Sequence, residues 1–317
     1  MTDTQNEVFK TPVNKIRLFE HGAPGSQNLK LTRKYYTEDM PDGRVKHIVQ
    51  NITDPDIVPY MPDGIGNSTD RQRIPAVLII PGGAFRRLVY NFEGEDVAKW
   101  LNSMGIAAFV LECRLPSDEH DNAEDVPLID AMRAMRVIRG RAQEFGIDEA
   151  KIGVMGFSAG GFMAALLSTA YESDVYADYK YKDEYDKLSA RPDFAVCSYP
   201  VISIDDCIEA GKRYMSEEQV LERISDSKAK ILHKYNPDKL VRPDMPPVFI
   251  CETDDDRTTL SENSVGFYMA ARKAGVSAEL HIFRTGGHGY GCGDDFAQTG
   301  EWKVLFTKWI KSIGIIS

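Results

Sequence analysis

The chain has 317 residues, 43% of them apolar and 27% charged, with a formal net charge of −10. This size and composition suit a single α/β domain with a sizeable core. The acidic balance disfavours nucleic acid or an anionic membrane as the main partner. The longest apolar runs, Ala76–Ile80 and Ile106–Leu111, are strand-sized and far short of a membrane span. The N-terminus is polar and acidic and lacks a secretory pattern. Five widely spaced cysteines without a C-x-x-C pair argue against a disulfide framework or a structural zinc. Reduced thiols in a cytoplasm are expected instead.

In chain order, residues 1–72 hold three extended-looking segments, Leu29–Tyr36, Val45–Ile52 and Ile57–Met61, separated by Pro, Asp and Gly. They read as antiparallel strands added to one edge of a sheet. From Ala76 onward apolar strands alternate with helices, the pattern of an α/β fold whose central sheet is mainly parallel with helices on both faces. The strands are predicted at Ala76–Ile80, Ala107–Glu112, Ile152–Met155, Phe194–Tyr199, Val248–Cys251 and Glu279–Phe283. Leu128, Met132, Met135 and Ile138 recur at helical spacing, with Arg133, Arg136 and Arg139 mostly on other faces. Further helices are predicted at Glu93–Ser103, Ala159–Ala170, Glu262–Ala274 and Trp302–Ile313. Gly105, Gly146 and Gly275 follow three of these patterns, where a left-handed cap is expected. The charged, tyrosine-rich run Tyr171–Lys187 reads as a solvated loop. Residues 203–245 read as a mostly helical insertion or partial lid within one domain spanning 1–317.

The strongest chemical signal is Gly156-Phe-Ser-Ala-Gly160, directly after one apolar strand and directly before a helix rich in small residues. A nucleophile there sits on a tight turn, and the flanking glycines let neighbouring backbone pass close by. Ser158 is therefore the candidate nucleophile. Pro81-Gly82-Gly83-Ala84-Phe85 follows an earlier strand, where a glycine-rich turn offers amides to a developing oxyanion. Gly83, Ala84 and, after the nucleophile, Ala159 are the expected donors. A serine hydroxyl needs a base at neutral pH. Of six histidines, His288 in Gly286-Gly-His-Gly-Tyr290 lies after the last strand and before the last helix, where such a base belongs. The acid is expected after the strand Val248–Cys251, where Asp254, Asp255 and Asp256 compete. That acidic run does not have the spacing of an EF-hand calcium loop, and no metal or organic cofactor is called for. Arg86 and Arg87 are either solvated loop residues or contacts to a carboxylate or sugar hydroxyls at the mouth of the site.

With these pieces in register, the chain resembles the α/β-hydrolase esterases of the bifunctional feruloyl/acetyl (xylan) esterase-like family. The likeness runs from about residue 51 to the C-terminus. It is carried by Pro81-Gly-Gly-Ala-Phe85, Glu93-Gly94 leading into Val97–Leu101, Arg114-Leu115, Gly156-Phe-Ser-Ala-Gly-Gly161 and Arg191-Pro-Asp-Phe-Ala195. Tyr199-Pro200, Pro246-Pro247, Glu262-Asn-Ser264 and Gly286-Gly-His-Gly289 continue it. The resemblance implies an α/β-hydrolase fold and a triad of Ser158, Asp256 and His288, with Asp255 as the second choice of acid. It implies hydrolysis of short-chain acyl esters, acetyl groups on sugars or xylo-oligosaccharides among them. Family members usually carry glycine and tyrosine where this chain has Ala84 and Phe85. Histidine is common at the positions of Phe162 and Cys251. Two other readings stay open on the same scaffold: a serine peptidase of the prolyl-oligopeptidase type and a ligand-binding protein without turnover.

Overall fold

The computed structural model describes residue 9 and residues 13–64, 73–220, 230–293 and 298–317. Its strands run in chain order as β1 (Ile16–Arg17), β2 (Lys34–Asp39), β3 (Val45–Gln50), β4 (Asp56–Tyr60), β5 (Ile74–Ile80) and β6 (Leu88–Val89). They continue as β7 (Ala107–Glu112), β8 (Ile147–Phe157), β9 (Ala195–Ser198), β10 (Val248–Thr253) and β11 (Ala278–Phe283). Eight of them form one sheet in the order β1-β4-β7-β5-β8-β9-β10-β11. From β7 to β11 every neighbouring pair is parallel, while β4 and β1 add on antiparallel at the β7 edge. Val77, Leu78, Ile79, Phe109, Val110, Val154, Val196 and Ile250 are fully buried. A sheet covered on both faces requires such unbroken apolar runs.

The helices that position the site are α1 (Asp96–Ser103), α2 (Val126–Gly140), α3 (Ala142–Phe145), α4 (Ala159–Ala170) and α5 (Ile204–Tyr214), followed by Ser261–Lys273 and Trp302–Ser312. Trp100 of α1 meets Trp302 and Phe306 of the last helix edge-on, with ring centroids 4.9 and 5.4 Å apart. Gly105, Gly146 and Gly275 all take positive φ just past their helices, as predicted.

One expectation needs correction and a second needs refining. The N-terminal segments do not all join the main sheet: β2 and β3 form a separate antiparallel sheet with β6. Only β1 and β4 extend the central edge. The run Tyr171–Lys187 is largely exposed, as expected, but it is anchored to the domain rather than a free loop. Tyr171 and Tyr176 are buried, Arg133 of α2 pairs with Asp183 and Asp186, and Arg136 donates to the Tyr176 hydroxyl. Arginines on the flank of α2 thus draw the polar segment onto the helix.

Of the stretch 203–245, residues 221–229 lie outside the described residues. The described remainder includes α5 and the short helix Lys230–Lys234. Lys234 Nζ donates to Asp125 at the start of α2 at 2.8 Å, and Arg213 pairs with Glu262 at 2.9 Å.

Arg114 and Asp130 form a fully buried pair, with Arg114 Nη2 2.6 Å and Nε 3.0 Å from Asp130 Oδ1. The Arg114 amide also donates to Asp130 Oδ2 at 2.8 Å. Removing one partner strands the other charge away from water. Asp130→Ala is expected to cost about 3–5 kcal/mol, read as a lower denaturant midpoint at unchanged slope.

Candidate active site

β5, β8, β10 and β11 all release their chains at the same end of the sheet, and the residues of interest follow those four ends. Ser158 stands between β8 and α4 with φ 52° and ψ −117°. For a residue with a side chain such a conformation costs about 1–3 kcal/mol and persists only where the surroundings impose it. Here they do. A Cβ on Gly156 would lie 1.9 Å from the Gly160 carbonyl oxygen, and one on Gly160 would lie 1.9 Å from that of Ile80. The Ser158 amide donates to Ser198 of β9 at 3.0 Å, and its carbonyl accepts from Phe162 at 3.1 Å. The strand-turn-helix unit is therefore clamped from both sides.

Ser158 Oγ lies 2.8 Å from His288 Nε2, and His288 Nδ1 lies 2.6 Å from Asp256 Oδ2. With the ring proton on Nδ1, the imidazole donates to Asp256 and presents Nε2 as an acceptor to the serine. Asp256 is buried, 1% exposed. Its Oδ1 accepts the amides of Thr258 (2.7 Å) and Thr259 (3.0 Å), and its Oδ2 accepts the Thr259 hydroxyl (2.9 Å). Burial pushes this carboxyl up, but His288 and those amides outweigh it and hold Asp256 below the usual aspartate value. Asp256 is thus poised to stay ionised beside the imidazole.

The adjacent aspartates separate by geometry. Asp255 Oδ1 accepts the amides of Gly286 and Gly287 at 2.9 and 2.8 Å, tying the acid loop to the histidine loop. Asp254 is exposed.

The turn after β5 packs against Ser158: a Cβ on Gly82 would lie 2.9 Å from Ser158 Cβ. The Gly82 amide is taken by Glu93 Oε2 at 2.8 Å. Gly83, Ala84 and Phe85 follow with φ of 138°, 57° and 59°. Among the described residues the amides of Gly83, Ala84 and Ala159 have no protein acceptor. For Ala159 this follows from its place at the start of α4, where the first amides have no intrahelical partner. Donors of this kind, fixed beside a nucleophile, suit a developing negative charge.

Two of the positions that depart from the family pattern touch each other, and a third lies elsewhere in the core. Phe85 and Phe162 pack edge-to-face at 5.5 Å, and Cys251 Sγ lies 3.1 Å from Ser198 Oγ in the core. Arg87 pairs with Glu38 of β2, so its charge is already engaged, while Arg86 is exposed. Three contributors carried no role in the sequence reading: Thr259, Glu93 and Tyr199. Thr259 stands three residues after Asp256, a local side-chain-to-backbone spacing that could have flagged it. The partners of Glu93 and Tyr199 are remote in sequence.

With this geometry in place, comparison with known proteins is decisive. Residues 63–270 of the 317 match the BD-FAE family. The chain belongs to that family. An acetylxylan esterase of Xylanibacter ruminicola is 31% identical over 240 residues, 75% of this chain and 45% of that protein. The chain thus spans less than half the length of this curated relative. The solved acetyl ester-xyloside bifunctional hydrolase of Caldicellulosiruptor lactoaceticus is 34% identical, with a TM-score of 0.71 over 96% of this chain and 98% of that one. An esterase of Thermogutta terrifontis, solved with propionate bound, has a TM-score of 0.65 at 24% identity over 93% of this chain and 96% of that one. At that identity it shares the fold with this BD-FAE member, which is the α/β-hydrolase fold expected from the sequence.

Proposed function

We propose that the protein is a serine carboxylesterase that removes short acyl groups, and that acetyl groups on xylo-oligosaccharides are its natural substrates. The observation that carries this reading is the continuous hydrogen-bonded path from buried Asp256 through His288 to Ser158 Oγ. In this reaction Ser158 Oγ attacks the ester carbonyl carbon while His288 Nε2 takes its proton. Asp256 keeps the imidazole in the productive tautomer and stabilises the imidazolium. The tetrahedral oxyanion is met by the amides of Gly83 or Ala84 and of Ala159. Collapse expels the alcohol, protonated by His288, and leaves the acyl group on Ser158. Water, deprotonated by the same histidine, then releases the acid. The scheme calls on no metal or organic cofactor.

The carbohydrate branch draws its support from the acetylxylan esterase and the acetyl ester-xyloside hydrolase among the relatives. A cytoplasmic site of action is supported by five buried cysteines, none of them in a disulfide. Detection of the mature protein outside cells would contradict it.

The direct test is hydrolysis of p-nitrophenyl acetate, butyrate and octanoate, then of acetylated xylo-oligosaccharides, with a matched peptide amide alongside. Turnover greatest on acetate and extending to the sugar acetates is expected. Preference for the amide would favour a prolyl-oligopeptidase-type peptidase. Tight binding of a ligand without turnover of any ester would favour a non-catalytic scaffold.

A further inference from the structure

Glu93 is a buried carboxyl to which the scheme above gives no part. It is 5% exposed and lies in a π-helical turn, Asn91–Glu95, just before α1. That turn is closed by the Glu95 amide donating to the Tyr90 carbonyl at 2.8 Å. Wide turns of this kind are rare and concentrate at functional sites.

Each carboxylate oxygen has its own partner. Oε2 accepts the Gly82 amide at 2.8 Å, and Oε1 accepts the Tyr199 hydroxyl at 2.9 Å. The Tyr199 hydroxyl in turn accepts the amide of Gly291, three residues past His288, at 3.0 Å. The Tyr199 ring also stands edge-on to His288, centroids 5.1 Å apart. One carboxylate therefore ties the turn carrying Gly83 and Ala84 to the loop carrying His288. Ser158 lies against this junction: a Cβ on Gly82 would approach both Glu93 Oε2 (2.7 Å) and Ser158 Cβ (2.9 Å).

We propose that Glu93 is a positioning residue for the esterase reaction, holding the oxyanion turn and the histidine loop in register about Ser158 and adding a second fixed negative charge to favour the imidazolium. The proposal rests on the esterase reading above. A buried carboxylate is costly unless fully hydrogen-bonded, and a tie between two loops needs no charge. The charge finds its use when His288 accepts the serine proton, because opposite charges interact strongly in a site shielded from water. Burial holds the Glu93 carboxyl above the usual glutamate value, and His288, the Tyr199 hydroxyl and the Gly82 amide offset only part of that rise. The other ionisable groups around the pair are Asp256 on the acid loop, Glu252 beside Asp256, Tyr199, Tyr290 and Lys46.

Glu93→Gln keeps an acceptor for Gly82 and removes the charge. With p-nitrophenyl acetate its kcat is expected to fall roughly 10- to 100-fold while KM stays within about twofold. The acid limb of its kcat/KM profile is expected to move to lower pH, because the imidazolium loses a compensating charge. Tyr199→Phe leaves the Glu93–Gly82 contact in place and frees the Gly291 amide; its kcat is expected to fall about 10-fold. Should Glu93→Gln fail to fold, Tyr199→Phe carries the test, and wild-type kcat in it would overturn the proposal. A folded Glu93→Gln with an unmoved acid limb also overturns it, whether or not kcat falls, since a purely structural tie would leave the limb in place. Wild-type protein inert to esters and to a fluorophosphonate alike would instead bring down the esterase reading itself.

Discussion

Ser158→Ala is expected to lower kcat for p-nitrophenyl acetate by about 10⁶-fold, with the fold intact. The serine hydroxyl lies 2.8 Å from His288 Nε2, the ring nitrogen that does not face Asp256. Without it no acyl-enzyme forms. Hydrolysis must then proceed by direct attack of water, helped only by the amides of the oxyanion turn, which retain about 10³–10⁴ over the uncatalysed rate. Alanine keeps the same backbone at φ 52° and fits the space already occupied by the serine Cβ. Thermal unfolding of the variant should therefore match or slightly exceed that of the wild type, as is common when a strained functional group is removed. Turnover within tenfold of the wild type would remove Ser158 from the reaction.

Asp256→Asn is expected to cost about 10⁴-fold in kcat. The carboxylate now accepts from His288 Nδ1 at 2.6 Å. An asparagine amide would donate to Nδ1 instead, leaving the ring proton on Nε2, where it cannot receive the serine proton. Asp255→Asn is the matched control. It keeps an oxygen able to accept the Gly286 and Gly287 amides, now 2.9 and 2.8 Å from Asp255 Oδ1, and is expected to lose less than about tenfold. The two variants differ by one position and remove the same charge from the same loop. A reversed ranking would pass the acid role to Asp255.

Much of this site is legible in the sequence because chemistry restricts it so tightly. A nucleophile on a strand-to-helix turn needs small neighbours, and Gly156 and Gly160 supply them where backbone passes at 1.9 Å from a would-be Cβ. His288 stands out as the histidine between the last strand and the last helix. The choice between Asp255 and Asp256 depends on which way successive side chains point in an irregular loop, and no periodicity encodes that. The split of the N-terminal strands is hidden for a related reason. Nothing in the residues of β2 and β3 ties them to one sheet, and the element that joins them in the separate sheet is β6, two residues long.

The anchoring of Tyr171–Lys187 is illegible from composition because the segment is polar and its partners, Arg133 and Arg136, lie on a helix some forty to fifty residues upstream. Charge there serves packing, whereas composition alone points to solvent. Glu93 is hidden in the same way. In sequence it belongs to a predicted amphipathic helix, yet the π turn at Asn91–Glu95 sets it apart from α1, and its side chain reaches Gly82 and Tyr199.

The most direct measurement of the central claim is stoichiometric labelling with a fluorophosphonate, followed by peptide mapping. Loss of ester turnover in step with one adduct per chain, located on Ser158 and absent from His288→Ala, is the predicted result. Labelling at another residue, or full ester turnover by the completely labelled protein, would contradict it.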